Sequence, residues 1–325
     1  MNDKAPRSFN TFRHSNLQKR KENRRRARMT LLAICLVIIM LMLSATVFVF
    51  CSIAELGKKP ADTDSSNPPA SSEEQVQKIS KSNTEIGKGD LLLVNGDYYY
   101  DPASAPDLVT IDGTQIAPNG TNRIYTVADT SWKLNETALK AFNTMMKRFY
   151  EISEGDDSVR ITSAYRTAKD QEGKSLPVGH SDHHTGYCLA LRPTGTGYLE
   201  DSHWIYEQGH KYGFVLRYPA GKESITGVSD YKYCIRYVGV AHATYMTQKN
   251  LCLEEYVSLL KSDYSNGTSR LMIAGADGNT YSVYYVPKTS GELTTITVPK
   301  GYAYSISGDN VGGFIVTVNL SVPTE

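Results

Sequence analysis

Residues 29–53, MTLLAICLVIIMLMLSATVFVFCSI, run for 25 positions without a charged side chain. A helix rises about 1.5 Å per residue, so such a run is long enough to cross a hydrocarbon layer of about 30 Å. KRKENRRRAR stands directly before it. A basic flank of this kind stays on the cytoplasmic side, which places the C-terminal body outside the cell. A cleaved signal peptide is the competing reading. The run is too long for its apolar region, and no small-x-small cleavage site follows cleanly. The sequence therefore predicts an uncleaved, single-pass transmembrane helix at 29–53 behind a basic cytoplasmic tail at 1–28.

Charge is divided the same way. Residues 1–28 hold ten Lys/Arg and two Asp/Glu, a surplus of eight positives. Against a whole-chain net charge of +1, the other 297 residues carry seven net negatives. A body of that sign is not expected to bind nucleic acid.

Residues 54–87 are rich in Ser, Pro, Asn and charge and poor in large apolar side chains, and read as a disordered linker. Beyond it, DLLLVNGDYYY reads as a strand with a polar turn. LNETALKAFNTMMKRFYEI reads as a helix capped by Asn135, with Leu139, Phe142, Met146 and Phe149 at helical spacing. VRITSAYR, GYCLALR and FVLRYP read as strands, DSHWIYEQGHKYG as a helix stopped by Gly213, IRYVGVAHATYM as a strand entering a helix, and CLEEYVSLLK as a helix. The mixture predicts an α+β fold with an antiparallel sheet and flanking helices. From 266 to 325 the pattern becomes alternating Thr, Val, Ile and Tyr between Gly, Pro and Asn. TYSVYYVP, LTTITVP, YAYSISG and GFIVTVNL predict a small all-β module of four short strands with no catalytic spacing.

Three stretches carry chemistry. In SAYRTAKDQ, Ser163 and Arg166 stand where a strand becomes a loop, with Gln171 five residues after Arg166. An arginine there offers a planar fork to a carboxylate, or simply pairs with a surface acid. In GHSDHHTGYCLALRP, His183 precedes a strand; a neutral imidazole is a zinc ligand, or a hydrogen-bonding turn residue. The third stretch is YGFVLRYPAGKESITGVSDYKYCIRYVGVAHA.

In this order and spacing, residues 88–262 resemble the VanY-like zinc D-alanyl-D-alanine carboxypeptidases, with YGFVLRYP, ITG and RYVG as close matches. The resemblance implies a membrane-anchored wall enzyme that removes the terminal D-alanine from peptidoglycan stem peptides. It also implies a zinc site. A His and an Asp at S-x-H-x-x-G-x-x-x-D spacing would bind the metal, a second His would complete it, and a Glu before that His would serve as general base. Three protein ligands leave one position for the water that zinc acidifies.

On this sequence His183 matches the first ligand. The Asp position holds Ala190, the general-base position Tyr231 and the second His position Cys234. Lys232 and Tyr233 replace the Pro and Trp usual there. The intervals are kept, so these are substitutions and not a shifted alignment. His180, Asp182 and His184 are the remaining residues nearby that could ligate. Ser163, Arg166, Gln171 and Ser181 match the positions that hold the peptide's carboxylate and backbone. The expectation is a non-catalytic homologue that needs no cofactor where the family uses zinc, and that binds stem peptide or a cell-wall partner protein. Two alternatives stand beside it: an active zinc carboxypeptidase with an atypical metal site, and a structural wall protein with a closed pocket.

The cysteines add one expectation that rests on the resemblance. Cys188 and Ala190 are two apart on one strand and share a face. In the family that face meets the second His, which is Cys234 here. A Cys188–Cys234 disulfide is therefore predicted in place of the metal, with buried thiols as the alternative and Cys252 as the odd one out. It would close a loop of about 47 residues, worth about 4 kcal/mol in the chain-entropy treatment.

Overall fold

Asn135 begins the best-defined helix, α1 (Glu136–Ile152). Its side chain accepts hydrogen bonds from the backbone N–H of Thr137 at 2.9 Å and Ala138 at 3.3 Å, satisfying donors that the first turn leaves unpaired. Ala138, Phe142, Met145, Met146 and Phe149 form the buried stripe. Leu139, expected on that stripe, is only partly buried at its edge.

The computed structural model describes residues 75–105, 107–111, 123–153, 159–193, 204–229, 231, 233–265 and 269–323. The basic tail, the apolar run 29–53 and the linker up to residue 74 lie outside them. Among the described residues no helix is long and apolar enough to cross a membrane.

In chain order the strands are β1 (Val76–Ser82), β2 (Leu108–Thr110), β3 (Thr126–Val127), β4 (Lys133–Asn135), β5 (Val159–Ser163), β6 (Cys188–Pro193), β7 (Phe214–Leu216), β8 (Cys234–Tyr237), β9 (Leu271–Ala274), β10 (Thr280–Pro287), β11 (Leu293–Pro299), β12 (Tyr302–Gly308) and β13 (Gly313–Pro323). After α1 come short helices α2 (Ala168–Gln171), α3 (Trp204–Gln208) and α4 (Glu223–Thr226), then α5 (Val240–Lys249) and α6 (Leu253–Asp263).

The central sheet has the order β3-β5-β6-β8-β7. Its pairs are antiparallel except β3 with β5. Phe142, Met145, Met146 and Phe149 of α1 pack with Ile161, Leu189, Leu191, Phe214 and Ile235 in one cluster. Because side chains alternate along a strand, the residues between these point to the opposite face, where the candidate site lies.

A second cluster joins α5 and α6, through Met246, Leu253, Tyr256 and Leu260, to Leu271, Ile273, Val283, Tyr285 and Ile315 of the C-terminal strands. These strands form the sheet β12-β13-β10-β9. Its other face, with Tyr284, Phe314, Val316 and Val318, packs with Ile296 and Val298 of β11.

Three expectations need correction. First, residues 76–82, read as linker, form β1 and pair with β11 from Val76↔Pro299 to Ser82↔Leu293. Ser, Lys and Gln give this strand no composition signal, because backbone pairing with β11 and one partly buried apolar side chain, Ile79, hold it. Second, among the described residues the C-terminal strands number five with β9, and β11 leaves their sheet to pair with β1. Third, DLLLVNGDYYY forms no strand. Leu91–Val94 are buried, yet their carbonyls are met by long side chains. Arg236 donates to the Asp90 and Leu92 carbonyls, Arg217 to Val94 and Asn310 to Leu93. Such partners satisfy buried backbone as a ladder would, and a local pattern cannot reveal them.

Candidate active site

The 3-10 turn Asp182–Thr185 and the adjoining strands β6 and β8 build the centre of the site. The turn ends at Gly186, whose φ is 77°. A Cβ there would stand 2.7 Å from Leu108 Cδ2, so both backbone angle and space require glycine. On β6 and β8, Leu189, Leu191 and Ile235 enter the α1 core, while Cys188 and Cys234 cluster on the other face with Tyr218. Register sets Ala190 opposite Cys234 and Cys188 opposite Arg236. The two thiols meet diagonally, Sγ to Sγ 2.7 Å.

His183 stands over them, and one ligand atom from each of His183, Cys188 and Cys234 lies within 4.8 Å of the other two. His183 Nδ1 is 2.7 Å from the Ala164 carbonyl. A carbonyl only accepts, so Nδ1 carries the proton and Nε2 keeps its lone pair, the tautomer a metal ligand needs. Burial, with help from the Arg166 charge, pushes this imidazole down to about 3, so it is neutral.

Tyr231 sits beside it, its hydroxyl 3.5 Å from His183 Nε2. Burial pushes its phenol up to about 12; the neighbouring thiols add to this, while the nearby Arg166 charge opposes it. The residue that the resemblance sets at the general-base position is thus a phenol whose ionised form is disfavoured by its surroundings.

A zinc set of His183, residue 190 and Cys234 does not fit this chain, because Ala190 brings no donor atom. Cys188 offers a third donor atom beside His183 and Cys234. Of the other candidates, Asp182 and His184 are engaged through both of their polar atoms, and His180 through Nδ1. Asp182 is fully buried between Arg217 and Arg236. His184 donates from Nδ1 to the Arg166 carbonyl at 2.8 Å and accepts at Nε2 from Gly179 N–H at 3.1 Å. His180 donates from Nδ1 to the Asn95 carbonyl at 2.8 Å.

The four residues read as peptide-binding divide three to one. Arg166 donates from Nε to Ser163 Oγ at 2.9 Å and from Nη1 to Gln171 Oε1 at 3.1 Å. Gln171 is locked in turn by its own donation to the Leu176 carbonyl at 2.7 Å. The fork is therefore held in one orientation. It forms part of the wall of a cleft of about 420 Å³ with Lys133, Ser163, Tyr165, Asp170 and Lys174. Ser181 stands apart at 2% exposure, its carbonyl accepting from His184 N–H at 3.0 Å.

Beneath the site lies a charged network that sequence reading missed. Arg217 pairs with Asp182 at 2.8 Å and grips Glu254 with two hydrogen bonds at 2.8 and 3.0 Å. Arg236 binds the other Asp182 oxygen and Thr185 Oγ1. Both arginines are fully buried. The available signal was an arginine inside each of two apolar strand patterns, FVLRYP and IRYVG, where buried charge demands partners.

Residues 173–240 match the family described as VanY: D-alanyl-D-alanine carboxypeptidase. A D-alanyl-D-alanine carboxypeptidase of Enterococcus faecium is 32% identical over 256 residues, covering 75% of this chain and 80% of that protein. A D-alanyl-D-alanine carboxypeptidase of Enterococcus faecalis is 38% identical over 103 residues, covering 31% of this chain and 38% of that protein. Among solved structures, the vancomycin resistance D,D-dipeptidase VanXYg in complex with a D-Ala-D-Ala phosphinate analogue superposes with a TM-score of 0.62 at 24% identity. It covers 75% of this chain and 99% of its own. The fold is thus of VanX/VanY type, and by the extent of its similarity to the Enterococcus faecium enzyme the chain belongs to the VanY-like D-alanyl-D-alanine carboxypeptidase family.

Proposed function

We propose that this protein is a non-catalytic member of its family that binds a peptide with a free C-terminal carboxylate and does not cut it. The ligand is a peptidoglycan stem peptide ending in D-alanine; the name of its relative, D-alanyl-D-alanine carboxypeptidase, supports that ending. The protein works outside the cell, held in the membrane by residues 29–53. One contrast supports this reading. Ala190, Tyr231 and Cys234 replace the three groups that cleavage needs beside His183, whereas Arg166 is held by Ser163 and Gln171 and, with Ser163, lines a cleft. Loss of a general base alone costs about 10²–10⁴ in rate, and here a metal ligand is missing as well.

The test is calorimetry on the full-length protein with a pentapeptide ending in D-Ala-D-Ala. Arg166→Ala should weaken binding about 10- to 100-fold, the worth of a hydrogen bond to a charged group. C-terminal amidation of the peptide should weaken it comparably. No binding by the parent protein would overturn the proposal.

One observation favours a second reading, a closed pocket. Tyr231 lies between Arg166 and His183 Nε2, and Gln171 and Ser181 are buried. If the parent protein is silent and Tyr231→Ala binds peptide, Tyr231 is a plug.

A further inference from the structure

We infer that Cys188 and Cys234 are joined by a disulfide that fills the place where the family resemblance puts the metal. The sulfur atoms lie 2.7 Å apart. Non-bonded carbon atoms rest about 3.5–4.0 Å apart, and sulfur is larger. Two thiolates on one tetrahedral zinc, with Zn–S near 2.3 Å, would stand about 3.8 Å apart. The observed pair is closer than either arrangement permits and nearest to a covalent bond of about 2.0 Å.

The register supplies the room. Ala190 is directly opposite Cys234. With only a methyl group there, the Cys234 sulfur leans across to Cys188. An aspartate in that position would fill the space with a carboxylate. Cys252 does not compete. It opens α6, where its backbone N–H donates to Glu255 Oε2 at 2.9 Å, and it lies outside the cluster of Cys188, Tyr218 and Cys234.

Formation requires a disulfide-class oxidant. One cysteine thiolate attacks an exchange partner R–S–S–R and expels RS⁻; the second attacks the mixed disulfide and expels another. The two cysteines lose two protons and two electrons, and the partner leaves as two thiols. Both sulfurs are fully buried once folded, so exchange precedes closure of β6 on β8. The inference stands apart from peptide binding, since it concerns only the bond between two strands.

Peptide mapping of the full-length protein tests it. The protein is purified without reductant, alkylated in denaturant and digested. A cross-linked pair of peptides containing Cys188 and Cys234 is expected, lighter by two hydrogens than its parts, with Cys252 alkylated on its own. Reduction before alkylation should release the pair and lower the melting temperature by about 5–15 °C. Full alkylation of Cys188 and Cys234 without reduction would overturn the inference. Zinc near one equivalent in that sample would assign the three donors to a metal instead, and its absence would leave two free thiols.

Discussion

Replacing Asp182 by Asn should be among the most damaging single changes this chain can suffer. Both carboxylate oxygens are used, Oδ2 by Arg217 Nε at 2.8 Å and Oδ1 by Arg236 Nη1. The side chains of all three residues are 0% exposed. Arg217 would retain Glu254. Arg236 would retain the Thr185 hydroxyl and the carbonyls of Asp90, Leu92 and Tyr237 as hydrogen-bond acceptors, all of them neutral. The remaining acid near it, Asp90, is pushed up to about 6 by burial. Stranding a buried charge in this way costs roughly 3–5 kcal/mol. For a unit of this size that is a fall in melting temperature of roughly 6–20 °C. Thermal unfolding followed by circular dichroism measures it, with Glu136→Gln as control. The Glu136–Lys140 pair is 52% and 73% exposed and is worth at most about 0.5 kcal/mol. An Asp182→Asn protein within 1 kcal/mol of the parent would refute the view that this network holds the turn carrying His183.

Acid should destabilise the protein through its buried histidines. His242 bridges Tyr256 and Thr317 and is pushed down to about 3 by burial; His183 is lowered likewise. Each binds its proton only when unfolded, so its stabilisation is complete above about pH 6.5 and is lost as pH falls toward 3, roughly 2 kcal/mol per histidine by pH 5. Asp90, raised to about 6, acts with the opposite sign and gives stability back as pH falls from 6 toward 4. Urea midpoints at pH 7 and pH 5 should therefore fall, and fall less in His242→Gln; equal midpoints in the parent would count against this. Restoring Ala190→Asp, Cys234→His and Tyr231→Glu together should bring back zinc binding and some D-alanine release. Single reversions should stay silent because the groups act as a unit, and activity in any one of them would contradict that.

Local patterns carried much of the fold. Asn135 and the apolar spacing after it marked α1, and alternation marked β5, β6, β8 and the C-terminal strands. The pairing of β1 with β11 was hidden because VQKISKS contributes backbone and only two apolar side chains. Leu91–Val94 misled in the other direction: an apolar run implied a strand where two distant arginines supply the hydrogen bonds. In the site, His183 and the Arg166 cluster were legible from residue type and interval. That Tyr231 would stand between them was not, because it depends on how the loop before β8 folds back. Asp182 looked like a spare ligand, and only the strands that bring Arg217 and Arg236 against it reveal its structural task.

The central claim is that the family's chemistry has been lost, and the most direct measurement is D-alanine release. Full-length protein, with its zinc content determined, is incubated with a pentapeptide ending in D-Ala-D-Ala, with and without added zinc. The account predicts zinc far below one equivalent per chain and no D-alanine above the enzyme-free blank under either condition. Zinc-dependent release that a chelator abolishes would contradict it.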